Sequence, residues 1–493
     1  MNIGFDNQKY VKMQSEKILE RVNNFGGKLY LEFGGKLFDD YHASRVLPGF
    51  HHDAKIKLLQ SISDKAEIIF CISACDIERN KIRADFGITY EMDLMRVIDK
   101  IRGLNISVSS IVITKYKEQA VADIFINKLR NRGEKVYIHT LTKGYPMDID
   151  TITSDEGYGA NSYIETYKPL VVVAAPGPGS GKLATCMSQL YHDYKAGIRS
   201  GYAKFETFPV WNLPLKHPVN AAYEAATADI GDFNMIDPYH LDAYGVTTVN
   251  YNRDIEVFPI VKNILNKITG EEFYRSPTDM GVNMAGFAIF DEEKIKIAAR
   301  QEIIRRYYKI NCDYKQGLCA VEAVQRIALI MKEQKIEISE RKTVSAALEK
   351  EQAGGSSSVA IELKNGEIIC GKTTNLMTAG ASVLLNTVKR LSKIDDDMHL
   401  LAPLVLQPIL KLKKEALNEE KVILNMEEVL IALSICAATN PVAEKAVNKL
   451  KELSGLEAHS TCMLIDADAN IMRKLKINIT CEAIYPSKEL FCF

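Results

Sequence analysis

The sequence predicts an α/β protein: a doubly wound, mostly parallel sheet of the Rossmann-like or P-loop-like kind, then a helical subdomain, then a smaller α+β C-terminal domain. Three observations predict it. The first half alternates short β-branched runs with amphipathic segments, which is how a parallel sheet wrapped by helices reads. At 493 residues the chain exceeds what one hydrophobic core supports, at roughly 100–200 residues per domain. Finally, the apolar run PLVVVAA enters a glycine-rich turn, PGPGSGK, that leads straight into an amphipathic segment.

Strands are predicted at Lys28–Phe33, Ala66–Ser73, Val108–Thr114, Lys135–Thr140, Pro169–Ala175 and Ala203–Val210. Between the second and third, Lys81–Leu104 sets Leu94, Val97, Ile98 and Ile101 on one helical face. These elements make an α/β domain over residues 1–265. A helical subdomain follows over 266–350, where Val321, Val324, Ala328 and Met331 form one stripe. Ala353–Ser358, AGGSSS, reads as a linker or plain loop, although a loop beside a ligand has the same composition. The α+β domain, 351–493, begins with two β runs joined by Asn365-Gly366, the signal of a two-residue type I′ hairpin. Helices are expected at Val383–Ile394, Leu401–Lys414 and Met426–Leu453, broken at Asn440-Pro441, then strands at Glu457–Ile465 and Ile477–Glu482.

Composition excludes several classes of function. With 62 Lys and Arg against 63 Asp and Glu, nothing draws the whole chain to nucleic acid or an anionic membrane. The N-terminus lacks a signal-peptide core, and the longest apolar runs fall short of the roughly 18 residues that span a bilayer. A cytoplasmic protein is expected. Ten cysteines include only two close pairs, Cys71/Cys75 and Cys312/Cys319, neither with zinc-ligand spacing, so reduced thiols and no metal are expected.

The glycine-rich turn carries the sharpest chemical signal. Gly177, Gly179 and Gly181 remove Cβ atoms where backbone N–H groups converge on an anion, and the helix after them adds its dipole. Ser180 lies within the loop, Lys182 supplies a mobile cation at its rim, and Thr185 offers a hydroxyl one turn on. In that helix Leu183, Cys186, Met187, Leu190, Tyr191 and Tyr194 share an apolar face. The full Walker pattern is not met, because Pro176 and Leu183 stand where a glycine and a Mg²⁺-binding hydroxyl belong. A structural turn without ligand and a dinucleotide-type site are the alternatives.

Loops after strand carboxyl ends are where open α/β sheets bind ligands. After the first strand, Lys36, His42 and Arg45 could grip an acidic substrate, or line a solvated loop; His51-His52, near Asp53, lack a third metal ligand. After the second, Asp85 beside Arg83 is either an acid group or part of a solvated helix cap. A long irregular stretch from Trp211 offers Lys216, His217, Asp229, Asp237 and His240 for substrate contact, with a domain-interface role as the other reading. His459 and Cys462 are three apart on a predicted strand, so they face opposite sides and cannot pair. No G-x-S-x-G or H-E-x-x-H signature occurs.

The strings KLYLEFGGKL, HASRVLPGF, RADFGITYE, APGPGSGK, KFETFPVWNLPLKHPVNAAYEAATAD, IDPYHLDAYG and EAHST resemble an uncharacterised bacterial family, domain of unknown function 1846, over essentially the whole chain. That resemblance implies a cytoplasmic, self-associating protein with an α/β N-terminal region and a smaller C-terminal domain, and it implies no reaction. The expectation is therefore an enzyme binding a phosphorylated or nucleotide-like small molecule through the glycine loop, with a nucleotide or phosphate as ligand. The alternative is a non-catalytic nucleotide-sensing or scaffold protein that forms homo-oligomers.

Overall fold

Strands that are apolar along most of their length must be covered on both faces, and Ala66–Ser73 and Leu170–Ala174 are buried at every position. The computed structural model describes residues 3–83, 87–419 and 422–487. The chain forms two compact units, Met1–Glu302 and Ile303–Phe493.

The first unit holds a 7-stranded sheet. Its strands are β1 (Leu29–Phe33), β2 (Ala66–Ser73), β3 (Ser107–Thr114), β4 (Val136–Ile138), β5 (Leu170–Ala174), β6 (Gly201–Phe205) and β7 (Gly281–Val282). All pair in parallel, in the order β7-β6-β1-β5-β2-β3-β4. The sixth strand was expected to reach Val210 but ends at Phe205. One further ladder bond, Glu206 N–H to the Val282 carbonyl at 3.1 Å, continues it; Pro209 then has no N–H to donate.

From β1 the chain steps through β2 and β3 to β4 in one direction, and from β5 through β6 to β7 in the other. Crossovers between parallel strands are right-handed, so the two sets of connecting helices lie on opposite faces, the doubly wound arrangement the sequence predicts. Strand β5 is flanked by β1 and β2, whose connections leave for the other face. The loops at these carboxyl ends therefore diverge, and the crevice between them is where such sheets take ligands.

The Tyr90–Gly103 helix buries the expected Leu94, Val97, Ile98 and Ile101. Downstream of β6 the stretch expected to be irregular contains two short helices, Pro218–Ala226 and Pro238–Tyr244. Each begins with proline in its first turn, where its missing N–H costs nothing.

The division at 302/303 falls inside the Glu292–Lys315 helix, so the helices of 266–350 belong to both units. The Val321–Gln334 helix buries Ala323, Ile327, Ile330 and Met331. Val321 is exposed, so the buried stripe is rotated from the expected one toward the larger isoleucines. Ala353–Ser358 is no extended linker: it closes the Lys342–Gly354 helix through a left-handed Gly355 and enters the next strand at once.

The second unit carries a mixed sheet of β8 (Ser358–Glu362), β9 (Ile368–Lys372), β10 (Glu457–Ser460) and β11 (Asn478–Cys481), ordered β9-β8-β10-β11. The β8–β9 hairpin forms as expected, with a longer turn. Leu363 and Glu367 bracket Lys364, Asn365 and Gly366, and within this turn only Gly366, at φ 85°, is left-handed. That is the three-residue, bulged alternative to type I′. The Ala379–Ser392 helix packs against β8 and β9, so closely that a Cβ on Gly371 would lie 2.2 Å from the Val383 nitrogen. Asn440 caps the Pro441–Asn448 helix, which explains the break read at Asn440-Pro441.

Every described cysteine is a free thiol. Denatured protein without reductant is therefore expected to titrate ten thiols with Ellman's reagent, the sequence total; a count of eight or fewer would establish a disulfide. Among the described residues no helix is long and apolar enough to cross a membrane.

Candidate functional site

Strand β5 delivers the chain into the loop Ala175–Gly181, and the Lys182–Lys195 helix leaves it. Gly179 and Gly181 adopt left-handed φ values of 71° and 83°, which a side chain would strain. Gly177 is needed for space, since a Cβ there would lie 2.4 Å from the Tyr90 hydroxyl. Two hydroxyls staple the turn: Ser180 donates to the Gly177 carbonyl at 2.8 Å, and Thr114 donates to the Ser180 carbonyl at 2.8 Å. Among the described residues no acceptor takes the N–H of Gly177, Gly179, Ser180, Gly181, Lys182, Leu183 or Ala184. No side chain caps this helix, and free donors together with the helix dipole are an arrangement that favours negative charge.

The other groups of the loop stand differently from their expected places. Thr185 is fully buried, and its hydroxyl donates to the Gly181 carbonyl at 3.0 Å while the Cys71 thiol lies 3.4 Å away. It is not available to a metal. Ser180 is equally buried and shapes the loop. Lys182 turns beneath the loop toward the sheet, its ammonium 3.8 Å from Glu32 and its side chain 13% exposed, so it is no free rim cation. The helix also buries polar residues: Gln189 satisfies both the N–H and the carbonyl of Ile164, and Asp193 takes Lys28, Tyr30 and Tyr163.

Lys182 leads to a cluster the sequence reading did not assemble. Glu32 and Lys204 sit opposite each other in the β1–β6 register, and Tyr202, two residues earlier, donates to Glu32 at 2.8 Å. Lys204 bonds Asp254 and Tyr251 and lies 3.2 Å from Glu206. Burial opposes the Lys204 charge, but Asp254, Tyr251, Glu206 and Glu32 outweigh it and hold the ammonium well above its ordinary value. Burial raises the Glu206 carboxyl first, Asp254 adds to this and Lys204 opposes it, bringing it to about 8. A proton on Glu206 balances the cluster, with two ammonium groups facing the carboxylates of Glu32 and Asp254. Charged residues inside otherwise apolar parallel strands, LYLEF and YAKFE, were the available signal. Partnership with Asp254, some 50 residues on, was not readable.

The remaining expected contacts are dispersed. Lys36 alone reaches the crevice, lining a small cavity with Arg83, Asp93, Ala175 and Pro176. His42 and Arg45 hold an internal acid in place of a substrate: Glu302, fully buried, takes His42 at 3.0 Å and Arg45 at 2.7 and 3.0 Å. His217 caps a helix by accepting from Val219 N–H, and Asp237 caps another while taking the Thr278 hydroxyl. His240 lies 2.8 Å from the Ser276 hydroxyl. Lys216 and Asp229 are exposed. Asp85 lies outside the described residues. His51, His52 and Asp53 bring ligand atoms within 4.8 Å, so Asp53 is the third group that the sequence reading did not count. The Lys57 ammonium 3.5 Å from His51 disfavours a cation there. His459 is buried against Tyr308 and Thr480, a packed histidine.

Comparison with known proteins covers the whole chain. The N-terminal model of the domain of unknown function DUF1846 matches residues 3–335, and its C-terminal model matches residues 339–491. A UPF0371 protein of Clostridium botulinum strain Langeland is 57% identical over 500 residues, covering 100% of this chain and 99% of that protein. Another, from strain Alaska E43, is 55% identical with the same coverage.

Proposed function

The chain belongs to the DUF1846 family, and since that membership carries no activity with it, we propose from the site itself that the first unit is an enzyme acting on a phosphorylated or nucleotide-like small molecule. The observation that carries this reading is the run of unpaired amides from Gly177 to Ala184, at a helix N-terminus in the crevice around β5. Lys182 swings from Glu32 to the bound phosphate. Glu206, with a carboxyl near 8, holds a proton at neutral pH and is the group suited to give or take one. The engagement of the Ser180 and Thr185 hydroxyls within the loop leaves no side-chain oxygen there for Mg²⁺, so binding is metal-independent.

Calorimetric titration of ATP, AMP, inorganic phosphate and a sugar phosphate, with and without Mg²⁺, tests the reading. At least one is expected to bind below about 1 mM, roughly −4 kcal/mol. Lys182→Ala should weaken it by about 1.5–3 kcal/mol, the worth of a charge-assisted hydrogen bond, or about 10- to 150-fold. Binding of none, or equal binding by the variant, makes the loop a structural turn. Phosphorus NMR of the same mixtures separates an enzyme from a sensor that binds without turnover.

A further inference from the structure

The second unit contains a cleft of about 390 Å³, within the size range of small-molecule sites, roughly 300–1,000 Å³. One wall is the Ala379–Ser392 helix, which contributes Ser382, Leu385, Asn386 and Lys389 at i, i+3, i+4 and i+7. The edge strand β9 contributes Cys370 and Lys372, two apart and so on one face, the one turned to the Lys342–Gly354 helix, where the Cys370 thiol lies 3.8 Å from the Ala346 carbonyl; the cleft therefore wraps the edge of the sheet. Lys350 comes from the preceding helix, and Leu376, Met377, Leu400, Leu401 and Leu406 close the floor and far side.

Its chemistry is divided. The leucines and Met377 offer an apolar body surface, while Lys350, Lys372 and Lys389 place positive charge around it. Neither Lys350 nor Lys372 has an ion-pair partner among the described residues; Lys389 donates to the Asp396 carbonyl. Glu349 stands near Cys370 on the Lys350 side. A second observation points to a ligand: the Ser382 hydroxyl, in a residue only 8% exposed, has no hydrogen-bond partner among the described residues. A buried hydroxyl without a partner is costly. It lines this cleft and is satisfied by whatever polar group enters.

We propose that the cleft bounded by Ser382, Cys370 and the three lysines is a binding site for an amphiphilic organic anion, a compact apolar chain ending in a carboxylate or phosphate. The apolar part lies against the leucines and Met377, and the anionic head meets the lysines and the Ser382 hydroxyl. This site is in a different unit from the glycine loop, so it stands or falls independently of the enzyme reading.

Octanoate, octylammonium and acetate titrated into the full chain provide the test, with N-ethylmaleimide labelling of Cys370 followed by mass spectrometry. Octanoate is expected to bind one per chain below about 1 mM, at least about tenfold tighter than octylammonium or acetate, and to slow Cys370 labelling. The double variant Lys350→Gln/Lys372→Gln should lose about tenfold in affinity, and Ser382→Leu, which fills the cleft, should lose it altogether. Lys182→Ala should bind octanoate as wild type does. Equal binding of octanoate and octylammonium, unprotected Cys370, or unchanged affinity in the double variant would each overturn the proposal. Ser382→Leu counts only if its circular dichroism matches wild type; the lysine variants, at the cleft's rim, carry the test otherwise.

Discussion

Lys204→Ala is expected to destabilise the first unit by about 3–5 kcal/mol, the cost of leaving buried charge unpaired. Lys204 is the ammonium that Asp254, Glu206 and Tyr251 share, and its side chain is 13% exposed. Without it, Asp254 and Glu206 lose the ammonium they share. The single tryptophan, Trp211, lies in this unit and donates to the Asn283 carbonyl, so its fluorescence in urea reports the transition. A midpoint within error of wild type would show that water reaches the cluster.

Glu206 makes the same cluster pH-dependent, and the sign follows from its raised value. Between the ordinary glutamate value of 4.5 and about 8 the folded chain keeps a proton that the unfolded chain releases. Its contribution is therefore full below 4.5 and is lost as pH rises through about 8, at no more than about 1.4 kcal/mol per pH unit. Glu206→Gln, which imitates the protonated acid, should flatten the urea midpoint between pH 5 and 9, the range that brackets this window. The same slope in variant and wild type would assign the dependence to another group.

Arg341→Ala is expected to cost the second unit a similar amount, about 3–5 kcal/mol. This arginine, 2% exposed, donates to Thr480 at 3.1 Å, Glu457 at 2.5 Å, and the carbonyls of Ala458 and Asn478 at 2.8 and 2.7 Å. It thereby ties β10 to β11 from a buried position. Arg341→Lys should recover only part of the loss, because an ammonium cannot reproduce the planar fork. Circular dichroism read beside Trp211 fluorescence checks the location: the loss should appear in ellipticity while the tryptophan midpoint stays put. A shift of both together would mean that the units unfold as one.

Much of the architecture was legible because it rests on local pattern. The parallel strands announce themselves as β-branched runs, the Tyr90–Gly103 helix as a repeat of apolar residues, and the hairpin as Asn365-Gly366. Where local pattern is degenerate, reading failed. The Val321–Gln334 helix contains two apolar stripes, and only its surroundings choose between them. The stretch from Trp211 looked irregular because its prolines and histidine were taken for loop residues, when Pro218 and Pro238 start helices that His217 and Asp237 cap.

By itself, the sequence determined the α/β class, the strand–turn–helix unit and the place of the glycine loop, because glycine spacing and hydrophobic period are properties of neighbouring residues. Tertiary structure alone decided which charges meet. His42 and Arg45, polar in a loop, are drawn to Glu302 some 260 positions on, and Lys182 turns inward to Glu32 across more than a hundred. Buried charges must find opposite partners wherever the fold brings them, and pairings at that separation leave no spacing in the chain to read.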